Sequence, residues 1–258
     1  MKYAIMSDAH ANPLALKTAI ADARSLGCEK FIFAGDITGY GYDAKATLTL
    51  VRENFDVVLL GNHDSVCAGL EPVWVEQVIS NYALDLKARD KLSCDDMEWM
   101  RALPPLHAEN GFAVVHGDFA NPRAWNYIDS AEVAGRNFRK RKERLMFCGH
   151  THHAMVWEAT GKGAIREKLA GRFARAALKP ESVSFKLAKS RYIVDCGSVG
   201  YPRSDLCSSY AIFDSSAEKV CVRRLPFDFK SYITEMLKND QALPDWLVEI
   251  LLAASRNG

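Results

Sequence analysis

Five short segments of this 258-residue chain end in side chains that bind metals or move protons. They deliver Asp8 and His10, then Asp36, then Asn62, His63 and Asp64, then His116, and finally His150 and His152. Five of the seven histidines fall in these positions. Carboxylate, imidazole and amide donors without thiolates suit Mn, Fe, Zn or Co, and there are more of them than one ion accepts. With Asp36 bridging through its two oxygens, the donors divide into two metal sites. Read singly, Asp8, Asp36 and Asn62 are helix caps. Read with the histidines, they form a dinuclear constellation.

The elements that must position these residues follow one plan. Apolar runs at Tyr3–Met6, Phe31–Ala34, Val57–Leu60, Phe112–Val115 and Leu145–Cys148 each lead into one of the polar clusters. Continuous apolar strands of this kind are buried on both faces, and their alternation with helical patterns predicts a largely parallel sheet. Helices are expected from Pro13 to Leu26, over Asp43–Val51, and as one long element from about Pro72 to Ala102 that Pro104 and Pro105 end. Ligand sites of open α/β sheets lie at the carboxyl ends of the strands, where the polar clusters fall. Ala154–Glu158, Ile193–Cys196, Ser209–Phe213 and Val220–Arg224 read as shorter strands of a second, more antiparallel sheet. Residues 159–190 form a basic, insertion-like segment, partly helical, and a helical tail runs from about 228 to 258 with Pro244 splitting it. No repeat or linker interrupts the chain, which reads as a single domain over residues 1–258.

Composition excludes several classes. At 48% apolar and 25% charged residues the chain is neither disordered nor fibrous. No apolar run reaches the roughly 18 residues of a membrane span, so no membrane partner is expected. The N-terminus turns polar too early for a signal peptide. Seven cysteines without a Cys-x-x-Cys pair point to reduced thiols and a cytoplasmic location. The net charge of +1 hides an asymmetry. Residues 135–191 carry fifteen Lys/Arg against four Glu, so +11, and the remainder carries −10. Such a stretch is a solvated face or a landing place for an anion, nucleic acid included; the solvated face is the favoured reading.

Taken in order, Asp8-Ala9-His10, Gly35-Asp36, Gly61-Asn62-His63-Asp64, His116-Gly117 and Gly149-His150-Thr151-His152 resemble the five motif blocks of the calcineurin-like metallophosphoesterases. Cys196-Gly197-Ser198-Val199-Gly200-Tyr201-Pro202-Arg203 is similar to the G-S-V-G-x-P-R loop of a prokaryotic branch of small phosphodiesterases in that superfamily. The resemblance implies an α/β fold, a two-sheet β-sandwich flanked by helices in αββα order. It implies one metal on Asp8, His10, Asp36 and His152 and another on Asp36, Asn62, His116 and His150. His63 would face the scissile phosphate as the acid, oriented by Asp64. Arg203, Asn12 and Tyr40 are the candidate substrate contacts, with a surface ion pair as the alternative for Arg203.

The implied activity is hydrolysis of a small phosphoester of nucleotide type, a dinucleoside polyphosphate or a cyclic nucleotide. Phosphoproteins are disfavoured, because the chain lacks the G-D-x-V-D-R-G and G-N-H-E blocks of the protein phosphatases of this superfamily. A nuclease-like enzyme and a non-catalytic scaffold are the alternatives. The chain departs from the family at Ala11, where Gly is usual, at Asp195, where Asn is frequent, and through residues 159–190. His107 and His153 read as structural, and Trp125 and Tyr127 as core packing rather than base stacking.

Overall fold

The computed structural model describes residues 1–71, 82–160, 164–167, 182–203, 207–226 and 228–239. The strands are β1 (Lys2–Met6), β2 (Lys30–Phe33), β3 (Val57–Val58), β4 (Leu106–Glu109), β5 (Phe112–Val115), β6 (Leu145–Cys148), β7 (Ala154–Ala159), β8 (Ile165–Glu167), β9 (Val183–Lys186), β10 (Arg191–Cys196), β11 (Cys207–Asp214) and β12 (Lys219–Pro226). The helices are α1 (Pro13–Ser25), α2 (Ala44–Asn54), α3 (Asn62–Cys67), α4 (Ala83–Arg89), α5 (Cys94–Arg101), α6 (Ala131–Lys140) and α7 (Phe229–Lys238).

Strand β1 shows how the layers arise. Its side chains alternate between two cores, and both are apolar. Tyr3 and Ile5 join Phe112, Val114, Phe147, Val194 and Phe213 in the layer between the sheets. Ala4 and Met6 face outward onto Leu16, Ala19, Leu48 and Val51 of α1 and α2. On the far side, Val115, Met146 and Ile193 pack against Ala134 and Phe138 of α6. The result is the expected αββα sandwich. Asn12, Asp43, Ser93, Ser130 and Asp228 cap α1, α2, α5, α6 and α7 with side-chain oxygens, at about 1 kcal/mol each.

The partition of strands differs from the expectation of one parallel and one antiparallel sheet. One sheet runs β3-β2-β1-β11-β12-β9 and the other β4-β5-β6-β10-β7-β8. Each is parallel in part (β3-β2-β1; β5-β6-β10) and antiparallel beyond. The C-terminal strands therefore divide, with β10 inserting beside β6 and β11 beside β1. Between 82 and 102 the expected long helix is two helices, because Ser93 caps α5 anew after the turn at Asp90–Leu92; residues 72–81 lie outside the described residues. Within the basic segment the described parts form strands β8 and β9 rather than helix, while 161–163 and 168–181, with Arg172 and Arg175, lie outside. The tail is helical as α7, and 240–258 are outside. Among the described residues no helix is long and apolar enough to cross a membrane.

Candidate dinuclear metal centre

The donors converge where β1, β2, β5 and β6 end. Two groups form: Asp8, His10, Asp36 and His152, and Asp36, His116 and His150, all buried. Asn62 joins the second group, its Oδ1 3.0 Å from His116 Nε2. Five of these residues sit in the left-handed region: Asp8 (φ 58°), His10 (43°), Asp36 (60°), His150 (71°) and His152 (63°). Such backbone costs on the order of 1–3 kcal/mol per residue and persists at sites that need it.

Backbone groups aim each carboxylate. Asp8 Oδ2 accepts the His150 N–H at 3.0 Å, and Asp36 Oδ1 accepts the His63 N–H at 3.0 Å. Asp8 Oδ1 and Asp36 Oδ2 are buried with no hydrogen-bond partner. Asp36 Oδ2 lies 3.6 Å from His10 Nε2 and 3.3 Å from His116 Nε2. Asp36 thus faces both groups through one oxygen, not two, because a backbone donor holds the other. Gly61 makes this possible: a Cβ there would overlap Asp36 Oδ1.

The imidazoles are oriented by carbonyls. His10 Nδ1 donates to Thr38 O (2.8 Å), His152 Nδ1 to Tyr201 O (2.6 Å), His116 Nδ1 to Ala34 O (2.8 Å) and His150 Nε2 to Trp125 O (2.7 Å). The opposite nitrogen of each ring is directed inward, and in the neutral ring it carries the lone pair that a metal accepts. Burial pushes His10 and His152 well below the usual imidazole range, and His150 to about 4. Burial opposes charge on His116 as well, but the Asp36 carboxylate prevails and raises it. Unpartnered buried carboxylate oxygens facing inward lone pairs fit two divalent cations.

The loop over Cys196–Arg203 locks this arrangement. Ser198 Oγ donates to Asp8 O at 2.8 Å, and the Val199 and Gly200 amides donate to Ser7 O and Asp8 O. Asp195 Oδ2 accepts from Thr151 Oγ1 at 2.7 Å and so steadies the turn between His150 and His152. Ala11 takes a left-handed conformation (φ 49°), a region that glycine adopts more readily than alanine.

A cavity of about 220 Å³ opens on the centre, lined by Tyr40, Asn62, His63, Tyr82, Trp125, Tyr127, His150, His152 and Arg203. Two of the three expected substrate contacts are here. Arg203 sits 6.0 Å over the rings of both Tyr40 and Tyr201, which stack at 4.4 Å. It reaches the Tyr127 and Tyr40 hydroxyls at 3.4 and 3.5 Å, and among the described residues it has no carboxylate partner. Asn12 is not among the lining residues. Its Oδ1 accepts from Ala15 N and its Nδ2 donates to Gly200 O, so both ends of the amide are engaged in structure.

Three further expectations need correction or extension. Asp64 does not contact the His63 ring: its oxygens accept the amides of Asp36, Ile37, Thr38 and Gly61 and brace the Asp36 turn. The carboxylate on His63 is Asp85, with Oδ2 2.7 Å from Nδ1. Tyr127 lines the cavity rather than packing a core, lying against His150 with ring centres 4.3 Å apart, whereas Trp125 packs against the core as expected and lines the cavity as well. Tyr82 and Asp85 carry no motif. A lone Asp in the apolar run Tyr82-Ala83-Leu84-Asp85-Leu86 was the available signal. His107 pairs with Glu109 at 3.3 Å on β4, and His153 is half-buried outside the two groups.

Sequence and structure comparisons agree with this geometry. The profile of the calcineurin-like phosphoesterase superfamily domain matches residues 1–218. The uncharacterized protein MJ0912 of Methanocaldococcus jannaschii is 27% identical over 266 residues, covering 96% of each chain. A metallophosphoesterase from Sphaerobacter thermophilus superposes with a TM-score of 0.78 at 28% identity, covering 96% of this chain and 97% of that one. Protein PH1004 of Pyrococcus horikoshii shares the fold, with a TM-score of 0.71 at 17% identity over 97% of both chains.

Proposed function

The chain belongs to the calcineurin-like phosphoesterase superfamily, and on that premise we propose that it is a cytosolic, dinuclear-metal phosphodiesterase acting on small nucleotide-type substrates. Dinucleoside polyphosphates and cyclic nucleotides are the substrate classes to try first. The observation that carries this reading is the juxtaposition of two Asp36-sharing groups with a small cavity walled by Tyr40, Tyr127, Trp125 and Arg203. Seven cysteines that form no disulfide with one another support a reducing compartment.

One metal would be held by Asp8, His10, Asp36 and His152, the other by Asp36, Asn62, His116 and His150. Two such ions supply Lewis acidity toward phosphoryl oxygen and the attacking water. The chain's own residues do the rest. Arg203, which reaches the Tyr127 and Tyr40 hydroxyls and among the described residues has no carboxylate partner, takes a phosphoryl oxygen of the substrate. His63 has Nδ1 engaged by Asp85, so in the doubly protonated ring Nε2 is the nitrogen that gives its proton to the departing oxygen and is left with a lone pair. Trp125 and Tyr127 offer ring faces to a nucleobase. Asp64 keeps Asp36 in its strained turn and touches no substrate.

The test is a panel of phosphomonoesters, cyclic nucleotides, dinucleoside polyphosphates and p-nitrophenyl diesters, run on protein whose metal content has been measured. Turnover of a diester that is abolished by chelation and restored by Mn²⁺ or Co²⁺ supports the reading. Turnover of monoesters alone, or of none, overturns it.

A further inference from the structure

One face of a short helix stands behind both Asn62 and His63. Tyr82, Asp85 and Arg89 are spaced i, i+3 and i+7, so they lie on one side of α4 and its N-cap. Tyr82 Oη accepts from Asn62 Nδ2 at 3.1 Å, which turns the amide oxygen toward His116. Asp85 Oδ2 meets His63 Nδ1 at 2.7 Å. Arg89 donates to the carbonyls of Cys67 and Val66, the last turn of α3. One stripe therefore grips α3 at both ends and orients two consecutive residues of the site.

Asp85 is wholly buried, and among the described residues His63 is its one ion-pair partner. Burying a carboxylate costs several kcal/mol unless its partners repay it, so an Asp here serves something other than bulk stability. Among the described residues no other carboxylate contacts the His63 ring. Asp64 is saturated by backbone amides. On the other side of the ring Gly39 is packed flush against it, and a Cβ on Gly39 would overlap Nδ1.

We propose that Asp85 is the positioning carboxylate of His63: it keeps the proton on Nδ1, aims Nε2 into the cavity, and does so from a helix whose Tyr82 fixes Asn62 in the same way. A carboxylate in this relation to an imidazole sets both tautomer and ring orientation. The kinetic consequence rests on the phosphodiesterase reading; the geometric one does not.

The test uses zinc-loaded full-length protein. Proton NMR should show a strongly deshielded, exchange-protected imidazole resonance that disappears in His63→Ala. Asp85→Asn should remove that resonance or move it upfield while both zinc ions stay bound. Its kcat on a diester with an alkoxide leaving group should fall roughly 10–100-fold with KM nearly unchanged. Tyr82→Phe, which removes only the hydroxyl that Asn62 holds and keeps the ring against His63, should leave the resonance in place. Absence of the resonance from wild-type protein overturns the proposal, and that arm stands even if Asp85→Asn does not fold. A resonance unmoved in Asp85→Asn, or zinc loss that matches the loss of rate, also overturns it. If wild-type protein hydrolyses no phosphoester while the resonance responds to Asp85→Asn, the functional reading fails and the positioning role is supported.

Discussion

His10 Nε2 and His152 Nε2 face each other at 3.0 Å, although each ring already donates its Nδ1 proton to a backbone carbonyl. Two neutral imidazoles in those tautomers have no hydrogen to share across that gap, so their lone pairs repel unless a cation lies beside them. His116 Nε2 and His150 Nδ1 approach at 3.1 Å as well, there with the Asp36 carboxylate 3.3 Å from His116 Nε2. Rings pinned this way beside the unpartnered Asp8 Oδ1 and Asp36 Oδ2 fit cations, whose binding would stabilise the fold.

Removing metal should therefore lower the melting temperature, and refilling should raise it by mass action, about 2.7 kcal/mol at a free-ion concentration of a hundred times Kd. Asp36 Oδ2 serves both groups. Asp36→Asn should consequently weaken both ions rather than one. Elemental analysis of wild-type protein should find two metals per chain. A variant that keeps one tight ion would show that Asp36 belongs to a single site.

Tyr127 is exposed by 43% yet lies against His150 at the cavity mouth. Base stacking on an aromatic ring is worth about 1–3 kcal/mol. Tyr127→Ala should raise KM for a nucleotide diester by roughly 10-fold or more and leave KM for a dialkyl diester near wild type. Equal effects on the two substrates would assign Tyr127 to holding Arg203, whose Nη1 it contacts at 3.4 Å.

The legible parts of this molecule are those where local pattern and burial coincide. β1, β2, β5 and β6 are continuous apolar runs because both faces are covered, and the ligands follow them directly. β4 was not legible: Leu-His-Ala-Glu is a half-exposed edge strand with no strong pattern. The division of β10 and β11 between sheets was not legible either, since crossover and register are set by long-range pairing rather than by either strand's own residues. In the site, the donors were readable from type and spacing, including Asn62. Asp85 was not, because its role depends on which ring α4 is packed against, and Asp64 was misread because sequence adjacency to His63 does not bring the two side chains together.

Charge also couples the helices beside the site, and pH reports it. Asp96, at the third position of α5, accepts from Lys45 Nζ at 2.6 Å, Arg52 Nη1 at 3.2 Å and its own cap Ser93. Burial opposes its ionisation, but the bonds from Lys45 and Ser93 hold the carboxyl at about 2. A depressed folded value contributes stability above the ordinary carboxylate range that is lost as pH falls through about 2. Lys45 and Arg52 are 50% and 40% exposed, so solvent screening reduces the contribution to about 1–2 kcal/mol. Asp96→Asn should cost that much in denaturant unfolding at pH 7, and the difference from wild type should shrink between pH 4 and pH 2. A difference independent of pH would show that the loss is one of packing.

His63 separates proton transfer from metal binding. Its backbone amide holds Asp36 Oδ1, but its ring stands outside both ligand groups and lines the cavity. His63→Ala keeps the amide, so both metals should remain. What the variant loses is a donor to the departing oxygen, an interaction that strengthens only in the transition state. For alkoxide leaving groups kcat should fall by roughly 10²–10⁴ with a much smaller change in KM. p-Nitrophenolate leaves as a stable anion and has little need of a proton, so its diester should lose far less. His150→Ala is the contrast: it deletes a ligand, and should lower metal content and slow both substrates alike. If His63→Ala slows both leaving groups equally with metals retained, the ring positions the phosphate and does not protonate it. If it strips a metal, the ring reaches a coordination sphere that the geometry assigns to Asn62.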